Sequence, residues 1–256
     1  MNNLKLEKKD KALIITINRP DKLNALNVNL INELNDTFSN HRDDNSIHAV
    51  IVTGAGSKSF VAGADIKEMS AFSPSDAASY SNSGIELFNN IESYSKPVIA
   101  AINGYALGGG LELALSCHIR YISKTAVLGL PEVSLGLIPG FGGTQRLRNI
   151  VGLGIAIEMI TSAKHVNSDE ALRIGLANKI CEDVLEDSLL LCQKISSNSP
   201  MAIKSAIQSI ILGKNTNYYD SFDIENNLFS QLFTSSDTRE GIDAFLEKRK
   251  PKFKNS

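Results

Sequence analysis

The stretch from Pro97 to Gln145 constrains this chain more than any other. Across it only four side chains carry a formal charge: Glu112, Arg120, Lys124 and Glu132. Glu112 stands in Gly108-Gly109-Gly110-Leu111-Glu112-Leu113-Ala114-Leu115, an apolar run headed by a triple glycine. Glu132 is the only charge between Leu128 and Gly140. A carboxylate is almost never fully buried unless it is paired or hydrogen-bonded. Two of them, 20 positions apart and each set among apolar residues and glycines, read as a pair of catalytic carboxyls. The competing reading for each is a structural carboxylate that accepts backbone N–H groups in a glycine turn. An apolar setting should raise at least one pKa, leaving an acid able to donate and recover a proton near neutrality.

Two small-residue turns stand beside those acids. The triple glycine follows a strand and opens a helix, so its N–H groups lie at the positive end of a helix dipole. Ala62-Gly63-Ala64-Asp65 also follows a strand and opens a possible helix. Two such turns can aim two N–H groups at one oxygen, which is an oxyanion hole. Other glycine signals fail. Gly54-Ala55-Gly56 lacks its third glycine, because position 59 is Ser, and Ser57 before Lys58 breaks a phosphate-binding loop. No G-x-S-x-G is present, so a serine-hydrolase nucleophile elbow is unsupported.

Composition narrows the class. A net charge of −2 and a pI of about 6.1 favour neither nucleic acid nor an anionic membrane. Three cysteines, Cys117, Cys181 and Cys192, without C-x-x-C spacing fit a reducing compartment and argue against a zinc cluster. No apolar run approaches the ~18 residues of a membrane span, and the start of the chain lacks a signal-peptide core. The expectation is a soluble cytoplasmic protein. The four histidines show no ligand spacing, and Cys117 and His118, being adjacent, should point apart.

Hydrophobic periodicity predicts strands at Ala12–Ile17, Ala49–Thr53, Pro97–Ile102 and His118–Ser123, with a helix over Val28–Phe38. The serine-rich patch from Ser70 to Ser83 reads as a mobile helix or loop, followed by a helix marked by Ile85, Phe88, Ile91 and Tyr94. Beyond Gly143 the chain is mostly helical: a short helix capped by Asn167 or Ser168, another opened by Ser199-Pro200, then helices near 217–233 and 238–248. The aromatics Tyr218, Tyr219, Phe222, Phe229 and Phe233 read as core or subunit interface, and the tail from Lys248 to Lys254 as a solvated end or a partner for phosphates. Alternating β and α segments precede a helical last part, the pattern of an α/β fold.

Several of these segments together resemble the enoyl-CoA hydratase (crotonase) family. They are Asn18-Arg19-Pro20 with Asn24-Ala25-Leu26, Phe60 through Met69, Lys96 through Gly104, Ala106 through Leu113, Pro131-Glu132, Ile138-Pro139-Gly140 with Gly143 through Leu147, and Ala244 through Arg249. They occur in order over nearly the whole chain. The resemblance implies a crotonase-like spiral of ββα repeats over residues 1–195 that carries an acyl-CoA site. It implies a helical C-terminal region over 196–256 that mediates homotrimers, commonly paired as hexamers. It further implies oxyanion-hole N–H groups at Ala64 and Gly109, catalytic carboxyls at Glu112 and Glu132, and Gly140 beside the water they hold. Leu23, Ala25, Ala62, Asp65 and Ile66 would line the adenine end of coenzyme A, and Phe245 and Lys248 would reach a coenzyme A on their own or a neighbouring subunit. The implied activity is the hydro-lyase chemistry of fatty-acid metabolism, adding water to a trans-2-enoyl-CoA; coenzyme A belongs to the substrate, and no metal or separate cofactor is required. The alternatives are a double-bond isomerase, a decarboxylase or hydrolase of the superfamily, and a non-catalytic acyl-CoA- or RNA-binding member. Leu111 stands where the family often has Cys and Phe141 where a smaller residue is common, so the acyl pocket should differ there.

Overall fold

The computed structural model describes residues 3–214 and 216–255. After strands β1 (Leu4–Lys9) and β2 (Ala12–Ile17) comes helix α1 (Val28–Asn40). Three strand–strand–helix turns follow. The first is β3 (Ala49–Gly54), β4 (Ser59–Val61), the short α2 (Ile66–Met69) and α3 (Pro74–Glu92). The second is β5 (Val98–Ile102), β6 (Tyr105–Leu107) and α4 (Gly109–Ser116). The third is β7 (Ile119–Ser123), β8 (Val127–Gly129), a 3-10 turn at Glu132–Leu135, then α5 (Gly143–Val151) and α6 (Leu153–Thr161). The spiral closes with β9 (His165–Asn167), α7 (Ser168–Arg173), β10 (Lys179–Cys181) and α8 (Val184–Ile195). Last come α9 (Pro200–Lys214), α10 (Tyr218–Leu232) and α11 (Ser236–Leu246).

The two strands of each turn enter different sheets. One sheet has the order β1-β2-β3-β5-β7-β10 and the other β4-β6-β8-β9. Among the described residues only the β1–β2 and β8–β9 pairs run antiparallel. Parallel strands buried on both faces should read as continuous apolar runs, and β2, β3 and β5 do. Alternate residues leave them in opposite directions. Leu13, Ile15, Val50, Val52, Val98 and Ala100 enter the main core, while Ile14, Ala49, Ile51, Ile99 and Ala101 enter a second one closed by Val184, Leu189 and Cys192 of α8. Burying each large side chain contributes about 2 kcal/mol.

The serine-rich patch differs from expectation. It is the first half of α3, which runs unbroken to Glu92. Ser73 and Asp76 form a capping box, and Pro74 occupies the first helical position. Serines inside the helix satisfy their hydroxyls on the preceding turn, Ser79 on the Ser75 carbonyl and Ser83 on the Ser79 carbonyl, both at 3.0 Å. Gly84, inside this helix, costs roughly 1 kcal/mol against Ala. A Cβ there would fall 2.2 Å from the Phe141 ring, so the glycine makes room for it.

The C-terminal helices also depart from the simplest reading. Tyr218, Tyr219, Phe222, Phe229 and Phe233 are exposed on the chain, so they are not core. The basic tail is held by α11: Arg249 forks onto Glu240 at 2.7 and 2.9 Å, and the Lys254 N–H donates to buried Asp237 at 2.8 Å. Among the described residues no helix is long and apolar enough to cross a membrane.

Candidate active site

The site is built where the second strands of the first two turns end. After β6 the chain turns through Gly108 at φ +51°, ψ −126°, a conformation that side chains rarely adopt. A Cβ at Gly108 would lie 2.9 Å from Glu132 Oε1 and 3.7 Å from Gly63 Cα, so the two small-residue turns lie against each other. Gly110 is glycine for packing: a Cβ there would meet the Val61 carbonyl at 1.9 Å, which lets α4 start hard against β4.

Among the described residues each turn leaves N–H groups without a backbone acceptor, Ala64 in one and Gly109 in the other among them. Gly109 is the first residue of α4, so its N–H has no acceptor within the helix. Among the described residues neither the Ala64 nor the Gly109 N–H donates to another backbone group. Their neighbours are tied down: Leu26 N–H to the Gly63 carbonyl at 2.9 Å, Asp65 N–H to the Leu26 carbonyl at 2.7 Å, and Gly108 N–H to the Gly129 carbonyl at 2.9 Å.

Glu112 lies in the first turn of α4 and is 1% exposed. Its Oε1 accepts the Phe141 and Gly143 N–H groups, each at 2.8 Å. Burial pushes its pKa up to about 7; the nearby Glu132 charge adds to the rise, and the two N–H bonds oppose it. Glu132 opens the 3-10 turn that Gly136 ends at φ +75°. Its pKa is also raised by burial, and its buried Oε2 has no hydrogen-bond partner. The structural reading of Glu112 therefore holds at one of its oxygens. Oε1 is fixed by backbone N–H groups from the turn that leads into α5.

Both acids line one cavity of about 360 Å³, and among the described residues they are its only charged lining side chains. The expected residues Ala62, Ala64, Ile66, Gly109 and Gly140 line it too. Leu23, Ala25 and Asp65 do not; their polar groups hold the first turn in place. The Leu23 carbonyl accepts Ala62 N–H at 3.0 Å, and Arg19 bridges the Ala25 carbonyl to the Asp65 carboxylate. Phe245, 83% exposed, and Lys248 also lie outside the cavity lining of the single chain.

The sequence reading missed Tyr80 and Ser81, which line the cavity from α3. Tyr80 donates to the Leu26 carbonyl at 3.0 Å, Ser81 to the Gly140 carbonyl at 2.6 Å. Tyr80 and Phe88 meet Phe141 edge-on, with ring centroids 5.0 and 5.6 Å apart, so Phe141 forms a rigid aromatic wall. The helical signal was present in Ser73-Pro74-Ser75-Asp76, a cap followed by a proline. Cys117 and His118 do point apart: the thiol bonds the Leu113 carbonyl, while the imidazole spans Val98 N–H and the Glu92 carbonyl. Among the described residues no group of three His, Cys, Asp or Glu side chains could hold a metal ion.

Comparison with known proteins agrees with this geometry. The family model for enoyl-CoA hydratase/isomerase matches residues 7–256. The chain is 45% identical to the short-chain-enoyl-CoA hydratase of Clostridium acetobutylicum, over 100% of this chain and 99% of that protein. It is 43% identical to the crotonyl-CoA hydratase of Syntrophomonas wolfei, over 98% and 97%. The crystal structure of an enoyl-CoA hydratase from Bacillus anthracis superposes with a TM-score of 0.97 at 34% identity, covering both chains completely. From the core of paired strands to the two acids at its centre, the chain belongs to the enoyl-CoA hydratase/isomerase family.

Proposed function

We propose that the protein is an enoyl-CoA hydratase, adding water reversibly across the 2,3-double bond of a short trans-2-enoyl-CoA to give the 3-hydroxyacyl-CoA. One observation carries the reading: Glu112 and Glu132 line a single cavity, Glu132 with a buried oxygen that has no hydrogen-bond partner, beside the Ala64 and Gly109 N–H groups, which donate to no backbone group among the described residues. In this mechanism the water oxygen bonds to the β-carbon, and the π electrons pass to the thioester oxygen as an enolate. The two N–H groups stabilise that charge; losing one such donor typically costs about 10²–10³ in rate. Glu112 takes the proton from water, and Glu132 delivers one to the α-carbon. That leaves the water proton on Glu112 and Glu132 without its own, so a proton passes from Glu112 to Glu132 through solvent before the next turnover, and the acids act as a coupled unit. An isomerase needs one principal acid/base, so two acids on one cavity favour hydration.

A short acyl chain fits the aromatic wall of Phe141 against Tyr80, and it fits the substrates named in the two relatives. The exposed aromatics of α10 fit a homotrimer or a hexamer formed through the helical region 196–256. Phe245 and Lys248 would then serve a neighbouring subunit's coenzyme A, with Leu23, Ala25 and Asp65 shaping its adenine end. Three unpaired buried cysteines fit the cytoplasm.

The test follows the loss of enoyl-thioester absorbance with crotonyl-CoA and longer 2-enoyl-CoAs, alongside a 3-enoyl-CoA. Hydration of crotonyl-CoA should be fastest and should fall with chain length. An enzyme inert to crotonyl-CoA that isomerises the 3-enoyl thioester would overturn the reading.

A further inference from the structure

Arg146, in the first turn of α5, is 6% exposed. A buried guanidinium needs acceptors on several sides. Its Nε donates to Glu92 Oε2 at 2.8 Å, its Nη2 to Asn89 Oδ1 at 2.6 Å, and its Nη1 to the Phe141 carbonyl at 2.8 Å. The other Glu92 oxygen accepts from Lys214 at 2.7 Å, so the end of α9 completes the cluster. The Phe141 carbonyl lies in the chain between two N–H groups, those of Phe141 and Gly143, and both of these hold Glu112 Oε1. Gly142, at φ +94°, leaves the room the guanidinium fills: a Cβ there would lie 2.5 Å from Nη1.

We propose that Arg146 is the positioning residue for Glu112. Anchored to the end of α3, it grips the Phe141 carbonyl and so keeps both flanking N–H groups on one carboxylate oxygen, leaving the other for the reacting water. The position of Glu112 is thereby set by a cluster that lies outside the cavity and reaches the C-terminal helices. Only the reaction being assayed rests on the hydratase reading.

A misplaced acid loses rate more than binding. Misplacement by about 1 Å can cost about 10² in rate. The ionisable groups facing Glu112 are Glu132 from the turn after β8, Tyr80 from α3 and Arg146 from α5. Of these only Arg146 favours the charged carboxylate, so loosening it moves the Glu112 limb of the kcat–pH profile upward.

The experiment compares Arg146→Lys, Asn89→Ala and Glu92→Gln with wild type, reading hydration kinetics and hydrogen exchange at the Phe141 and Gly143 amides. Arg146→Lys should lower kcat about 10- to 100-fold with KM within about threefold, shift the pH limb upward, and speed exchange of both amides. Asn89→Ala and Glu92→Gln should do the same to a smaller degree. These two residues are not buried, so the pair decides the matter should Arg146→Lys fail to fold. In a Glu112→Gln background, Arg146→Lys should cost less than about threefold, because the group it positions has already gone. Unchanged amide exchange in every variant would overturn the proposal, as would an equal cost in both backgrounds. Loosened amides in the variants of an enzyme whose wild type does not hydrate crotonyl-CoA would instead uphold the positioning role and sink the hydratase reading.

Discussion

Glu112 and Glu132 open on the same cavity but are held in opposite ways. Glu112 sits on an α-helix with one oxygen bonded twice to backbone N–H groups; Glu132 sits on a 3-10 turn with a buried oxygen bonded to nothing. The first is fixed before substrate arrives. The second keeps one oxygen that no hydrogen bond holds. A reaction that places a water and moves a proton needs both properties, one group to set the geometry and one to follow the changing charge.

The largest effect should come from removing either acid. Glu112→Gln and Glu132→Gln keep the shape and lose the proton chemistry, so each should cut crotonyl-CoA hydration about 10³-fold in steady-state kinetics. Near-wild-type rates in one of them would reduce the pair to a single working acid. A smaller effect should separate the two supports. At Gly143 an added Cβ would fall 2.8 Å from both Cγ and Oε1 of Glu112, so Gly143→Ala should displace the fixed acid and lower kcat about 10²-fold. Crystallography or amide shifts should show Glu112 moved and Glu132 in place; movement of Glu132 alone would contradict the assignment of supports.

The last effect is on stability rather than rate. Glu112 has a folded pKa of about 7 against an ordinary 4.5, so the folded protein keeps a proton that the unfolded chain releases. That stabilisation is complete below about pH 4.5 and is lost as pH rises through about 7, a difference of about 3 kcal/mol. Denaturant melts across this window should show the wild type losing stability relative to Glu112→Gln. Parallel curves would mean that Glu112 titrates normally in the folded state.

Much of this site was legible because its signal is local. A lone carboxylate among glycines and apolar residues marks both acids, and β2, β3 and β5 announce themselves as apolar runs. The rest is long-range or too short to see. The N–H groups that hold Glu112 lie 29 and 31 positions away, and no local pattern encodes that meeting. β4, β6, β8 and β9 are three residues each, below the length at which alternation has meaning. β1 was missed because only Leu4 among its residues is buried, so its pattern is that of a charged edge. Tyr80 was hidden by the serines around it, whose hydroxyls bond their own helix rather than break it. The ion pair of Arg19 with Asp65 at 3.0 Å, which fixes the turn carrying Ala64, joins residues 46 positions apart and was equally invisible.

The measurement closest to the central claim is the double variant Glu112→Gln/Glu132→Gln, compared with each single variant for crotonyl-CoA hydration. If one water is handled by both acids as a unit, the double variant should be scarcely slower than the singles, since either loss already disables the pair. Losses that multiply to about 10⁶ would mean that the two carboxyls act independently, and the shared-water account would be wrong.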